Sequence, residues 1–199
     1  MVKIKFDRLD YQKQAVDSIS DVFKSIAFVP NENRKSNPSF DLQQNKSVLV
    51  ENITKVRASN KVDIGEVSLN DELVIDTLME TGTGKTFTFL ESIYRLNRDY
   101  GLCKFIILVP SNPIRQGTIK NIKITKEFFL KEYGKQISVY NYSEKTVLNY
   151  INASDQNISV LVSTYQSFNK ASNNINKSKI EQGLIGRSYS YMQALAQLR

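Results

Sequence analysis

The chain has 199 residues, 41% of them apolar and 24% charged, which suits one packed domain and argues against wholesale disorder. It has no histidine and a single cysteine, Cys103, which excludes Ser-His-Asp and Cys-His nucleophile systems, imidazole-bound zinc and a disulfide framework. Lys and Arg number 27 against 20 Asp and Glu, a net charge of +7, which fits either a polyanionic partner or a lysine-rich soluble surface.

From residue 1 to about residue 29, Ala15, Val16, Ile19, Val22, Phe23 and Ile26 recur at helical spacing. They predict one amphipathic helix that starts between Leu9 and Gln12. The stretch 30–72 is the least compact in composition. Its Asn31 to Pro38 segment has turn chemistry, and the short alternating runs at Ser47–Val50 and Lys61–Val67 predict a loop with a hairpin or flap.

From residue 73 onward the rhythm is βαβ. Leu73–Glu80 predicts a strand, followed by a glycine-rich turn and a helix through Phe87, Leu90, Ile93, Tyr94 and Leu96, closed near Gly101. Lys104–Pro110 predicts a buried parallel strand, and a basic helix runs from about Asn112 to Tyr133 and stops at Gly134. Gln136–Tyr140 predicts a strand, Ser143–Ile151 a short Ser-capped helix, Ile158–Thr164 a strand, and Leu184–Leu198 a last helix. Strands alternating with helices imply an α/β fold with a mainly parallel sheet. The longest strongly apolar run, Phe105–Val109, is far too short to span a membrane, and the N-terminus has no apolar signal core. The expected address is cytoplasmic, with no membrane partner.

Glu80-Thr81-Gly82-Thr83-Gly84-Lys85-Thr86 falls where the strand should turn into the helix. Phosphates need closely spaced backbone N–H donors, and Gly82 and Gly84 leave that backbone bare. The helix N-terminus adds its dipole, Lys85 can reach the β- and γ-phosphates, and Thr86 can hold Mg²⁺ through its hydroxyl. The strict phosphate-loop pattern wants glycine at position 79, where this chain has Met79. ATP and Mg²⁺ are the expected cofactors, with Thr81 and Thr83 completing the loop. Hydrolysis further needs an acidic residue ending a second strand. Asp71, Glu72, Asp76, Asp99 and Asp155 do not stand at such a place, so no catalytic residue is assigned within the chain.

Met79–Thr86, Lys104–Ser111 and the run Ile114-Arg115-Gln116-Gly117 together resemble the Res subunit of type III restriction enzymes, members of the superfamily 2 helicases and translocases. The resemblance is close from Leu73 to Phe129 and looser to Phe168. It implies a RecA-like P-loop NTPase sandwich, a DNA partner, and a modification methyltransferase subunit in the full complex. By that resemblance Gln12, in Leu9-Asp10-Tyr11-Gln12, would read adenine. Pro110, Ser111, Arg115 and Gln116 would lie along a nucleic-acid backbone, and Thr164, in Ser163–Gln166, would meet a phosphate. The family's acidic (Walker B) strand, second motor lobe and nuclease domain have no counterpart here. The expected organisation is therefore an N-terminal helical segment (1–29), a loop or hairpin insert (30–72) and a partial RecA-like ATP-binding domain (73–199), with the chain alone expected to be inactive. A fragment of the first motor lobe and a naturally truncated product are both open. So are another superfamily 2 helicase and a non-catalytic nucleotide- or nucleic-acid-binding module. The basic helix, with Lys120, Lys123, Lys126 and Lys131, is either a wall beside nucleic acid or a solvated face. A sheet lacking later strands is expected to leave an open edge, unless the last helix or the insert covers it.

Overall fold

The computed structural model describes residues 6–32, 34–62, 65, 67, 69 and 73–167. The predicted helix at Leu184–Leu198, with whatever edge it covers, lies outside them. The chain divides into two compact units, residues 1–29 with 39–100 and residues 30–38 with 101–199.

The first unit is helical. Helix α1 (Asp10–Asp21) buries Gln12, Val16 and Ser20, a stripe at four-residue spacing. It ends earlier than predicted, in turns that still bury Val22 and Ile26. Helix α2 (Lys46–Ser59) takes the place of the hairpin or flap strand expected at Ser47–Val50, while the run at Lys61–Val67 lies partly outside the described residues. Its β-branched residues read locally as a strand, but Leu49, Asn52, Ile53 and Val56 share one helical face. Leu49 is fully buried with Val22, Ile26 and Leu69, and Phe23, Phe28 and Phe40 pack around them. Tertiary packing thus overrides local propensity. Asn52 adds a polar tie, donating its amide to the carbonyls of Val22 (3.1 Å) and Lys24 (2.8 Å) and so satisfying groups just past the end of α1.

Helix α3 (Lys85–Tyr100) runs as predicted, and Gly101 follows it at φ 73°. Helices α1 and α3 are bonded at their C-terminal ends through Ser20. Ser20 Oγ donates to Asp99 Oδ2 (2.9 Å) and Tyr100 Oη donates to the Ser20 carbonyl (2.7 Å). The strand predicted at Leu73–Glu80 does not form. Among the described residues they carry no strand pairing, Val74 is 68% exposed and Leu78 fully so. An apolar run records a preference for burial, but a strand exists only where a neighbour supplies its hydrogen bonds.

The second unit is a three-stranded parallel sheet with helices, as the α/β expectation requires. Strands β1 (Lys104–Val109), β2 (Ile137–Asn141) and β3 (Ile158–Thr164) stand in the order β1-β3-β2, with Lys104 opposite Ser159, Val109 opposite Thr164 and Ile137 opposite Ile158. All seven residues of central β3 are buried. Strand β1 was expected to be buried, but it is an edge of the described sheet, and Ile106 (40%) and Leu108 (48%) are exposed.

Helix α4 (Asn112–Tyr133) buries Thr118, Ile122, Thr125 and Phe129 at helical spacing, while Lys120, Lys123 and Lys131 face solvent. It stops at Gly134, whose left-handed φ of 67° lets its N–H reach the Leu130 carbonyl at 2.9 Å. Helix α5 (Glu144–Asn152) has the predicted cap, Ser143 Oγ accepting the Thr146 N–H. No helix among the described residues is long and apolar enough to cross a membrane.

Candidate functional site

The glycine-rich loop closes on its own carbonyls. Thr83 Oγ1 donates to the Glu80 carbonyl (2.7 Å), and Lys85 Nζ donates to the carbonyls of Met79 (3.0 Å) and Glu80 (2.8 Å). Gly82 and Gly84 hold φ values of 82° and 81°, which a β-carbon disfavours. Helix α3 starts at once behind them, with the Thr88 N–H on the Gly84 carbonyl at 3.0 Å. The N–H groups of Lys85 and Thr86 are therefore first-turn donors, ahead of the first four-residue bond of the helix. Thr81, Gly82, Gly84 and Lys85 are exposed, and Thr83 and Thr86 are half-buried. Backbone donors, a helix N-terminus and an ammonium make a donor set that suits an anion.

The first turn of α1 and the segment before it are fastened to this loop and its helix. Gln12 Nε2 donates to the Thr83 carbonyl at 3.0 Å, Arg8 Nε lies 2.6 Å from Glu91 Oε1, and the rings of Phe6 and Phe87 stack at 5.9 Å. Local sequence reasoning placed Gln12 and Thr83 in one site but missed their direct bond. They are 71 positions apart, and nothing in the spacing signals it.

In the second unit, the register that sets Val109 opposite Thr164 brings the loops after β1 and β3 side by side at the carboxyl edge of the sheet. Ligands of open α/β sheets gather at such edges. Pro110 and Gln116 are exposed there, and Ser111 is the N-cap of α4, its carbonyl accepting the Arg115 N–H at 3.0 Å. Thr164, the expected phosphate contact, is the last residue of β3. It is 7% exposed, and its Oγ1 lies 3.1 Å from Ser167 Oγ. Its neighbour Tyr165 is the exposed group, at 58%. Cys103 is buried, and burial pushes its thiol pKa up, in keeping with a small apolar role.

Known proteins are similar to this sequence over two thirds or more of the chain. It is 36% identical over 141 residues to the type III restriction-modification enzyme EcoPI Res subunit of Escherichia phage P1, covering 66% of the chain and 14% of that protein. It is 34% identical over 139 residues to the EcoP15I Res subunit of Escherichia coli, with the same two coverages. It is 29% identical over 157 residues to the StyLTI Res subunit of Salmonella typhimurium, 78% of the chain and 13% of that protein. The chain thus spans about one seventh of the length of these relatives. The family model described as type III restriction enzyme, res subunit, matches residues 5–185, and on that match the chain belongs to the type III restriction enzyme Res subunit family.

Proposed function

We propose that this chain is the ATP-binding part of a DNA-dependent ATPase or translocase subunit of a type III restriction-modification system. The observation that carries the reading is the placement of two left-handed glycines, Gly82 and Gly84, directly before Lys85 at the start of α3, in a chain of this family. Thr81, Gly82, Thr83 and Gly84 would offer backbone donors to the phosphates. Lys85 would exchange the Met79 and Glu80 carbonyls for phosphate oxygens. Thr86 would add a hydroxyl to a magnesium ion otherwise held by the nucleotide, since the described residues contain no group of three potential metal-ligating side chains. Bound MgATP supplies the phosphoanhydride whose cleavage drives a motor.

Nucleic acid would run along Pro110, Ser111, Arg115 and Gln116, with the Ser163–Gln166 loop beside them, in sequence-independent contacts. Hydrolysis, movement on DNA and pairing with a modification methyltransferase subunit are assigned to the whole protein. None of the apolar strands in these residues ends in an acidic pair, so the chain alone is expected to bind without turnover.

The test is titration calorimetry of the chain with MgATP against Lys85→Ala. Lys85 is exposed, so the variant should keep its melting temperature. It should lose at least about tenfold in affinity, the worth of a charge-assisted hydrogen bond. Equal affinity in both proteins would refute the phosphate-loop assignment. Turnover of ATP that disappears with Lys85→Ala would refute binding without hydrolysis.

A further inference from the structure

Helix α1 and the segment before it are tied to α3 and its loop by polar contacts at two ends. Away from the loop, Asp17 Oδ1 lies 3.2 Å from Arg95 Nη1, and Ser20 is bonded to Asp99 and Tyr100. Beside the loop, Gln12 Nε2 donates to the Thr83 carbonyl and Arg8 Nε lies 2.6 Å from Glu91 Oε1. The two ion pairs differ in their surroundings. The side chains of Asp17 and Arg95 are 36% and 26% exposed, whereas that of Glu91 is 4% exposed. A solvated pair adds little, but a carboxylate taken out of water depends on its cation, because losing it strands a buried charge.

The position of the second pair gives it a use. Arg8 directly precedes Leu9, the N-cap of α1, and Glu91 stands in the second turn of α3, the helix that starts at the glycine-rich loop. The pair therefore pins the start of one helix to the start of the other. Gln12 rides on the pinned turn. Its Oε1 accepts the Leu9 N–H at 3.2 Å and its Nε2 meets Thr83, which leaves the amide one N–H and one lone pair for a ligand of the loop. A β-carbon built on Gly84 would stand 2.5 Å from Gln12 Nε2, so the bare backbone of Gly84 admits the amide at this distance.

We infer that Arg8 and Glu91 are positioning residues, whose ion pair holds the first turn of α1, and Gln12 with it, against the glycine-rich loop in the form that takes up nucleotide. The inference rests on the phosphate-loop reading above and extends it to the contact that assembles the site. Loss of the pair would leave the ties of Asp17 and Ser20 in place. It would lower the fraction of molecules ready to bind, and the apparent affinity would fall with that fraction.

The experiment is calorimetric titration of the chain, Glu91→Gln and Asp17→Asn with MgATP, with melting temperatures taken alongside. Each variant keeps the size of the side chain and removes its charge. Glu91→Gln should lose at least about fivefold in affinity, the low end of coupling between two sites. Asp17→Asn, which breaks a pair between the same helices away from the loop, should bind as the parent does. Equal losses in both variants would make general docking of α1 the determinant and overturn the inference. Parent-like affinity in Glu91→Gln, with only a lowered melting temperature, would make the pair structural and overturn it equally. Should Glu91→Gln fail to fold, amide hydrogen exchange in the unsubstituted chain takes its place. MgATP should slow exchange at Gln12 and Lys13, whose N–H groups bond the Leu9 carbonyl, more than at Ser20, and equal or absent slowing overturns the inference. If the unsubstituted chain takes up no MgATP, the phosphate-loop reading falls and this one with it. Binding that Lys85→Ala weakens and Glu91→Gln does not sinks only this one.

Discussion

Asn37 occupies both polar backbone groups of Lys104: its Oδ1 accepts the Lys104 N–H at 2.7 Å and its Nδ2 donates to the Lys104 carbonyl at 2.9 Å. The same Oδ1 also accepts the Cys103 N–H at 2.8 Å. One side-chain amide thus does for the first residue of β1 what a neighbouring strand would do, and both Cys103 and Lys104 are buried.

Asn37→Ala should therefore lower stability by about 1–3 kcal/mol, because it strands buried backbone groups as well as deleting three bonds. Asn37→Asp should recover part of that loss, since a carboxylate still accepts both N–H groups but cannot donate to the carbonyl. Urea unfolding midpoints of the three proteins check this. If the alanine variant matches the parent, Asn37 is not the clamp that the geometry describes.

A second prediction concerns the insert. A loop or flap would tolerate truncation, whereas α2 places Leu49 at 0% exposure between Val22, Ile26 and Leu69. Leu49→Ala should cost about 2–5 kcal/mol, the range for a large-to-small change in a core. Thermal or urea denaturation decides it. A loss within the scatter of ordinary surface changes would return the segment to the flap expected from sequence.

The contrast between those two readings shows where sequence information lay. Elements whose ends are written in local chemistry were legible. Helix α4 runs from the Ser111 cap to left-handed Gly134, α5 begins at Ser143 as its hydroxyl implied, and the apolar run of β3 is the buried centre of the sheet. The glycine turn and the start of the helix after it were legible for the same reason, since Gly82, Gly84, Lys85 and α3 are contiguous. What failed depended on distant partners. The Leu73–Glu80 run has strand composition yet finds no pairing, and Ser47–Val50 has strand composition yet finds a helical face to bury. The Gln12–Thr83 bond and the Asn37 clamp each join residues more than 60 positions apart.

The last prediction is a pH dependence centred on Lys104. Its side chain is buried, donates to the Tyr150 carbonyl and lies 5.0 Å from the Tyr150 ring centre. Burial pulls its pKa from 10.5 down to about 8; neighbouring Cys103 opposes this and Lys35 adds to it. The unfolded chain keeps this proton up to its ordinary pKa, while the folded chain releases it near pH 8. Between those two values the unfolded state binds more protons, so this group makes stability rise with pH, and below about pH 8 it adds no slope. Cys103, Tyr94 and Tyr150 act the other way. Burial raises their pKa values, the unfolded chain ionises first, and stability falls as pH climbs past their ordinary values of 9.0 and 10.0. The parent's own profile mixes these opposing slopes, whereas subtracting Lys104→Met largely isolates the lysine. The difference in urea midpoint should be level up to about pH 8 and should then move in favour of the parent. A difference that stays level to pH 10 would mean that the ammonium reaches solvent in the folded chain, and one that moves against the parent would mean that folding strengthens its hold on the proton.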